Sequence, residues 1–416
     1  MMKDPAIDIF TADSFISIRK EIFRILNKYT DILPQHKDAS ILLKPNLNSN
    51  MNALTGNTTD LRLLAAVILF FKDAGFHNIT IGEGTNSGFY RSNISVISRL
   101  KVDRLAAFYG VQCIDLNYSD AVPITFDNGV TAGIARECME ADFFINMPKL
   151  KTHFEAGMSV CLKNLIGCLV GQENKKKTHD SLAANIVHIT EACPPHLHIV
   201  DAMFAMEGLG PTKGKPVKTD TVFIGTNPYF IDLVAARFAS CDPDKIHPLV
   251  AARQRGIISE ELLDHAGRYP VNTYPRPFAP PAAGPLARFI HHPKRQKYFL
   301  AIRNTRFFTA LCNTKIVGKL LFLTDLRQDV FLETEMECES LGLDRDKCND
   351  CGICRDYCPQ ELPLPDYFTR EEPACMQCLY CFCVCPQEAI TFQGTLGFME
   401  EQLKQYDRII RHLARH

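Results

Sequence analysis

The sequence predicts an α/β fold, a mainly parallel sheet with helices on both faces, followed by a small cysteine-rich α+β module at the C-terminus. Three observations predict it. Short apolar runs alternate with longer helical stretches from about Ala39 to Ser240, the pattern of strands and crossover helices around a parallel sheet. Six prolines between Tyr269 and Pro285 end that pattern and read as an extended connector. Beyond them, eight cysteines recur in two runs of one spacing, offset by 27 residues. With 416 residues and 46% hydrophobic content, the chain can bury one large core and a small one.

The elements follow in order. Ile41-Leu42-Leu43 is a short buried strand ending at Lys44-Pro45-Asn46. Leu61 to Ala74 is a helix closed by Gly75, apolar nearly all round and so covered on more than one side. Asn78 to Ile81 is a strand ending in the loop Gly82 to Gly88. Ile94 to Tyr109 reads as one helix stopped by Gly110. Val111–Leu116, Asp142–Asn146, Leu197–Asp201 and Thr221–Gly225 continue the strands, and Tyr229–Ala239 is a further helix. The expected boundaries are 1–268 for the α/β domain, 269–336 for the connector and a helical segment, 337–395 for the cysteine module and 396–416 for a terminal helix. In parallel sheets, ligands sit beyond the carboxyl ends of the strands. Polar residues placed there become site candidates: Lys44, Asn46, Glu83, Thr85, Asn86, Lys149, Lys151 and Asp201.

The cysteine runs are Cys348-x2-Cys351-x2-Cys354-x3-Cys358-Pro359 and Cys375-x2-Cys378-x2-Cys381-x3-Cys385-Pro386. This is the spacing of bacterial two-cluster ferredoxins, in which three cysteines of each run and the fourth of the other hold one 4Fe–4S cluster. Under that rule Cys348, Cys351, Cys354 and Cys385 hold one cluster, and Cys375, Cys378, Cys381 and Cys358 the second. The prolines turn the chain away after each crossing ligand. Zinc prefers two cysteine pairs across a longer gap, and disulfides need an oxidising compartment. Cys383 is expected to be a bystander. Two 4Fe–4S clusters imply single-electron transfer and a soluble electron carrier or redox partner protein.

Charge narrows the partners. The net charge is −1, which gives no case for nucleic acid or an anionic membrane. Lys175-Lys176-Lys177 is expected as a solvated loop. The first residues lack a signal-peptide pattern, and the longest apolar run, Leu63 to Phe71, is too short to span a bilayer. A reducing, cytoplasmic location is expected, with the other nine cysteines as free thiols.

A second constellation lies at Asn146-Met147-Pro148-Lys149-Leu150-Lys151-Thr152-His153, followed by Lys163 and His179. Lys149 and Lys151 alternate on an extended segment and share one side of it. They make either an anion site or two solvated lysines. The strings Pro148 to His153, Lys163-Asn164-Leu165-Ile166-Gly167, Lys44-Pro45-Asn46 and Met206 to Pro211 resemble the domain-of-unknown-function family 362, over roughly residues 39 to 260. The resemblance implies Asp-Pro where this chain has Asn227-Pro228, with Asp232 in place downstream. His153, Lys163 and His179 are also similar in spacing to the nickel-pincer lactate racemase family. That resemblance implies a cofactor on Lys163, a metal on His179 and a proton handled by His153. It also implies a histidine in the loop that reads Gly84-Thr85-Asn86-Ser87 here, so two-base racemisation is not expected. Both histidines are equally readable as ordinary turn residues.

The expectation is an iron–sulfur oxidoreductase that moves electrons to or from a small, anionic substrate near Lys44, Asn46, Thr85, Asn86, Lys149, Lys151, His153 and Lys163. A non-redox metal-dependent enzyme related to lactate racemase, and an electron-transfer subunit without an active site, are the alternatives.

Overall fold

The computed structural model describes residues 5–85, 89, 93–281, 334–369 and 375–415. Asn86 and almost all of segment 286–336 lie outside them. In chain order the α/β region has β1 (Ile7–Thr11), α1 (Phe15–Leu26), β2 (Ile41–Pro45), α2 (Leu61–Asp73), β3 (Ile79–Glu83), α3 (Val96–Arg99), α4 (Val102–Tyr109) and β4 (Gln112–Asp115). A hairpin, β5 (Ala121–Thr125) and β6 (Thr131–Ala135), leads into β7 (Phe143–Met147), β8 (Lys149–His153) and β9 (Gly157–Ser159). Then come α5 (Cys161–Asn164), α6 (Gly171–Lys177), α7 (Leu182–Ala192), β10 (Leu197–Glu207), β11 (Lys215–Lys218), β12 (Thr221–Gly225), α8 (Pro228–Phe238), α9 (His247–Gln254) and α10 (Glu260–Arg268).

The sheet order is β1-β12-β10-β7-β2-β3-β4. β10, β7, β2, β3 and β4 run parallel, and β12 and β1 add an antiparallel edge. The expected mainly parallel sheet is therefore present. Alternation along the strands splits the core. Ile41 and Leu43 face a cluster with α1, α2 and α4, while Leu42 and Phe144 face a second cluster with Ile189 of α7. α8 and α9 pack with Phe223 and Val200 on that side. Helices thus cover both faces. Asp60 caps α2 through the Arg62 backbone N–H, a strong helix-start signal, and α2 is buried almost all round, as its composition requires.

Three expectations need correction. Ile94 to Tyr109 is two helices, because Lys101 takes a left-handed conformation between α3 and α4 (φ 62°). Nothing local enforces the break. It leaves Arg99 over the Phe398 ring at 4.6 Å and paired with Glu335 at 2.8 Å, both distant in sequence. Lys175-Lys176-Lys177 is no solvated loop: it ends α6, and Lys175 is buried. The first described part of the connector, residues 269–281, has no helix or strand but is packed. Phe278 is buried and Arg276 pairs with Glu207 at 2.5 Å. β1 and α1 were not read from sequence, although Ser14 and Ser17 form a capping box before an amphipathic helix.

The C-terminal module pairs β13 (Glu337–Leu343) with β14 (Ile390–Thr395) and adds two short helices, α11 (Ile353–Asp356) and α12 (Tyr380–Val384), before α13 (Phe398–Arg415). It shares a core with the α/β region: Tyr357, Tyr380, Val384 and Phe398 lie in the cluster that holds α1 and α2. The Tyr109 hydroxyl bonds the Pro359 carbonyl at 2.5 Å, and the Asn52 N–H bonds Gln402 Oε1 at 2.8 Å. Among the described residues, no helix is long and apolar enough to cross a membrane.

Candidate functional site

The carboxyl ends of β2, β3 and β10, together with β8, gather a cluster of lysines. The cluster divides by partner. Lys44, wholly buried on β2, pairs with Glu83 of β3 at 3.0 Å and bonds the Asn164 carbonyl at 2.8 Å. Burial opposes its charge, but Glu83 and nearby groups hold its pKa above the ordinary value. Lys149 lies beside Asp201 in the strand register, and the two pair at 2.8 Å with both side chains buried. Asp201 also accepts the Asp60 and Met203 backbone N–H groups. These lysines are not solvated: each is matched to one buried carboxylate.

Two residues beyond Lys149, Lys151 meets no carboxylate among the described residues. Its ammonium donates to Asn46 Oδ1 at 2.7 Å, Asn48 Oδ1 at 2.9 Å and the Asn57 carbonyl at 2.7 Å. Burial, then Lys149 and Lys163, push its pKa well below the ordinary lysine value. Lys163 is half-buried on α5, and among the described residues no hydrogen bond or ion pair holds its ammonium. Burial lowers its pKa while Glu155 opposes the shift. Lys175 donates to the Gly84 and Thr85 carbonyls at 2.8 and 3.0 Å and also to Asn117 Oδ1. Burial brings its pKa down to about 8. Thr85 is thus held by its carbonyl, and Asn46 bridges Lys151 and Asn164.

α5 is placed by long-range capping. Asp232 of α8 accepts the Cys161 N–H at 2.8 Å and the Leu162 N–H at 3.3 Å, which suits a helix start. Burial lifts the Asp232 pKa to about 7. Asn227, the departure from Asp-Pro, caps α8 by accepting the Phe230 N–H; Asn and Asp serve that role alike. Asn164 Nδ2 bonds Asn146 Oδ1 at 2.7 Å and ties α5 to β7. The approach of Gly84 to Gly167 (N–H to carbonyl 3.1 Å) closes the floor. A Cβ on Gly167 would stand 2.0 Å from Glu83 Oε1, so glycine is required there.

His153 ends β8, and Nδ1 accepts the Glu155 and Ala156 N–H groups at 3.1 and 3.2 Å. The proton therefore sits on Nε2 of a neutral ring, a state reinforced by burial and by Lys163, which lower the pKa well below the ordinary value. His153 is set up to donate a hydrogen bond rather than to act as a base. His179 bonds Glu155 at 3.2 Å. Although burial would raise the Glu155 pKa, that contact and Lys163 bring it down to about 2, so Glu155 is ionised and His179 Nδ1 is the donor.

The cysteines fall into two groups. Cys348, Cys351, Cys354 and Cys385 line one cavity. Cys358, Cys375, Cys378 and Cys381 line another. Cys383 lines neither and is fully buried. The backbone repeats with the sequence: Asp350 and Gln377, Gly352 and Leu379, and Glu361 and Glu388 are pairs 27 residues apart, and each residue has positive φ. For the five residues that are not glycine, that conformation costs on the order of 1–3 kcal/mol each. Strain of this kind collects where a loop must present groups to a ligand. Gln377 and Ala389 N–H groups point at Cys375 and Cys385 Sγ at 3.4 and 3.3 Å. Among the described residues, no three His, Cys, Asp or Glu side chains converge on a single ion. A cubane differs in that each of its four thiolates binds a separate iron, so its ligands stand further apart.

Sequence reasoning missed Asp60, Arg62, Glu155, Asn164 and Lys175. Arg62 is buried, forks onto Asp60 and stacks over Tyr357 at 4.0 Å. The signal was polar residues, Thr58-Thr59-Asp60 and Arg62, opening an otherwise apolar helix.

The family described as Domain of unknown function (DUF362) matches residues 41–237, which include the whole lysine cluster. A thylakoid-associated protein of Synechocystis sp. is 29% identical over 232 residues, covering 52% of this chain and 67% of that protein. The lactate racemase apoprotein of Thermoanaerobacterium thermosaccharolyticum is similar at 14% identity with a TM-score of 0.33, and the match spans 56% of each chain. At that score the likeness says nothing of chemistry.

Proposed function

We propose that this chain is an iron–sulfur oxidoreductase whose C-terminal module exchanges electrons with a small anionic substrate bound at the lysine cluster. The observation that carries the reading is the division of eight cysteines into two cavities of four, in the crossed combination that two-cluster ferredoxin spacing requires. Cys348, Cys351, Cys354 and Cys385 would hold one 4Fe–4S cluster, and Cys358, Cys375, Cys378 and Cys381 the other. Such clusters, when bound, take up and release single electrons. Burial raises the Cys354 thiol, a cost to the thiolate form that a bound cation would have to offset by displacing the proton.

On the substrate side, Lys151 and Lys163 are amines that no carboxylate pairs with among the described residues. A bound anion would favour their protonated forms against the burial that lowers their pKa values, and His153 Nε2–H supplies a directed donor. Lys44 and Lys149 hold the scaffold through Glu83 and Asp201. His179, hydrogen-bonded to Glu155, is the candidate for moving the proton that accompanies reduction. A soluble one-electron carrier is the partner, and the free thiolates require a reducing compartment such as the cytoplasm.

Anaerobic purification with iron and sulfide analysis and EPR tests the reading. About eight irons per chain are expected. Stoichiometric zinc, or iron far below that count in anaerobic protein, would overturn it. Calorimetric titration with oxalate and inorganic phosphate tests the anion site. Binding that survives Lys163→Met and Lys151→Met together would remove the lysine cluster from the proposal.

A further inference from the structure

The two cysteine sets do not stand equally toward the lysine cluster. A third cavity lies between the module and the α/β region, with Cys378, Tyr380 and Met399 on one side and Leu47, Thr59 and Leu61 on the other. The Tyr380 hydroxyl accepts the Leu61 N–H at 3.2 Å. Leu47 and Thr59 belong to the loop whose Asn46, Asn48 and Asn57 hold Lys151. Thr59 itself bonds both the Asn46 N–H at 2.8 Å and the Met147 carbonyl at 2.8 Å. One layer of loop therefore separates Cys378 from the Lys151 environment.

The other set faces away. Each set's own cavity is lined by module residues alone, but no cysteine of this second set lines the third cavity, to which the first contributes Cys378. Cys351 is exposed, as are Asn349 and Asp350 beside it. Electron transfer through protein falls steeply with distance, so the nearest ligand set governs exchange with a bound molecule and the most exposed set governs exchange with a carrier.

We infer that Cys358, Cys375, Cys378 and Cys381 form the inner electron site, which serves the lysine cluster, and that Cys348, Cys351, Cys354 and Cys385 form the outer site, which meets the soluble carrier. This rests on the cluster reading above. Each passage moves one electron and oxidises one reduced carrier. A two-electron reduction at the lysine cluster takes two passages and two protons from solvent.

The test is EPR relaxation of the dithionite-reduced full chain with and without an aqueous dysprosium chelate. In Cys378→Ser, the signal that remains belongs to the outer site and should relax several-fold faster with the chelate. In Cys351→Ser, the remaining inner signal should change little, and Lys151→Gln should shift that inner signal alone. The wild type needs no substitution: it should show one chelate-sensitive and one insensitive component. About eight irons per chain with equal sensitivity, or with the inner signal more sensitive, overturns the order of the sites while leaving the cluster reading intact. Wild-type chain without iron overturns both.

Discussion

The lysine cluster and the cysteine module are both dense in groups that are costly to bury, yet they are built on opposite principles. In the module, the cysteines lie close in sequence and the loop backbone is strained twice in the same places, 27 residues apart. In the lysine cluster, each group is fixed by a residue far along the chain: Lys44 by Glu83, Lys149 by Asp201, and α5 by Asp232. Spacing thus identifies the cysteines, whereas only the partner distinguishes a scaffold lysine from one available to a ligand. The difference teaches that a charged residue at a strand end is not yet a binding residue. It becomes one when the fold leaves it without a counter-ion.

The comparison can be broken most sharply in the module. Cys378→Ser should cut bound iron from about eight to about four per chain, measured on anaerobic protein, whereas Cys383→Ser should leave the count unchanged. Equal losses would mean that the crossed quartets are wrong.

Within the lysine cluster, partnered and unpartnered lysines should separate in stability. Lys149→Met strands the buried Asp201 carboxylate and should cost about 3–5 kcal/mol by denaturant unfolding. A cost below about 1 kcal/mol would show that the pair is not buried as described.

Glu155 gives a pH test of the His179 contact. Its folded pKa, about 2, lies below the ordinary 4.5. Its contribution is therefore complete above pH 4.5 and is lost as pH falls from there toward 2, on the order of 3 kcal/mol at most. Glu155→Gln should flatten that part of the wild-type stability profile. An unchanged slope would dismiss the contact.

The smallest effect on stability is expected from Lys163→Met. With no hydrogen bond to lose, the chain should unfold within about 0.5 kcal/mol of the wild type, while oxalate and phosphate binding measured by calorimetry weakens. A large loss of stability would place Lys163 with the scaffold instead.

The alternation of strand and helix, the buried strand Ile41–Pro45 and the apolar helix Leu61–Asp73 were legible because periodicity reports local burial. Glu155 and Lys175 were not, since nothing in their neighbourhood announces that His179 or Asn117 will come to meet them, and at Arg62 the local polar signal does not name Tyr357 as its partner.

The sequence by itself determined the sheet class and the two cysteine runs, because each depends on spacing along a few residues. Only the tertiary structure decided which lysines are neutralised, which tautomer His153 holds, where the helix between Ile94 and Tyr109 breaks, and which cysteine set looks toward the lysines. Those outcomes depend on charges and hydrogen bonds between distant segments, whose strength is set by burial that no local pattern records.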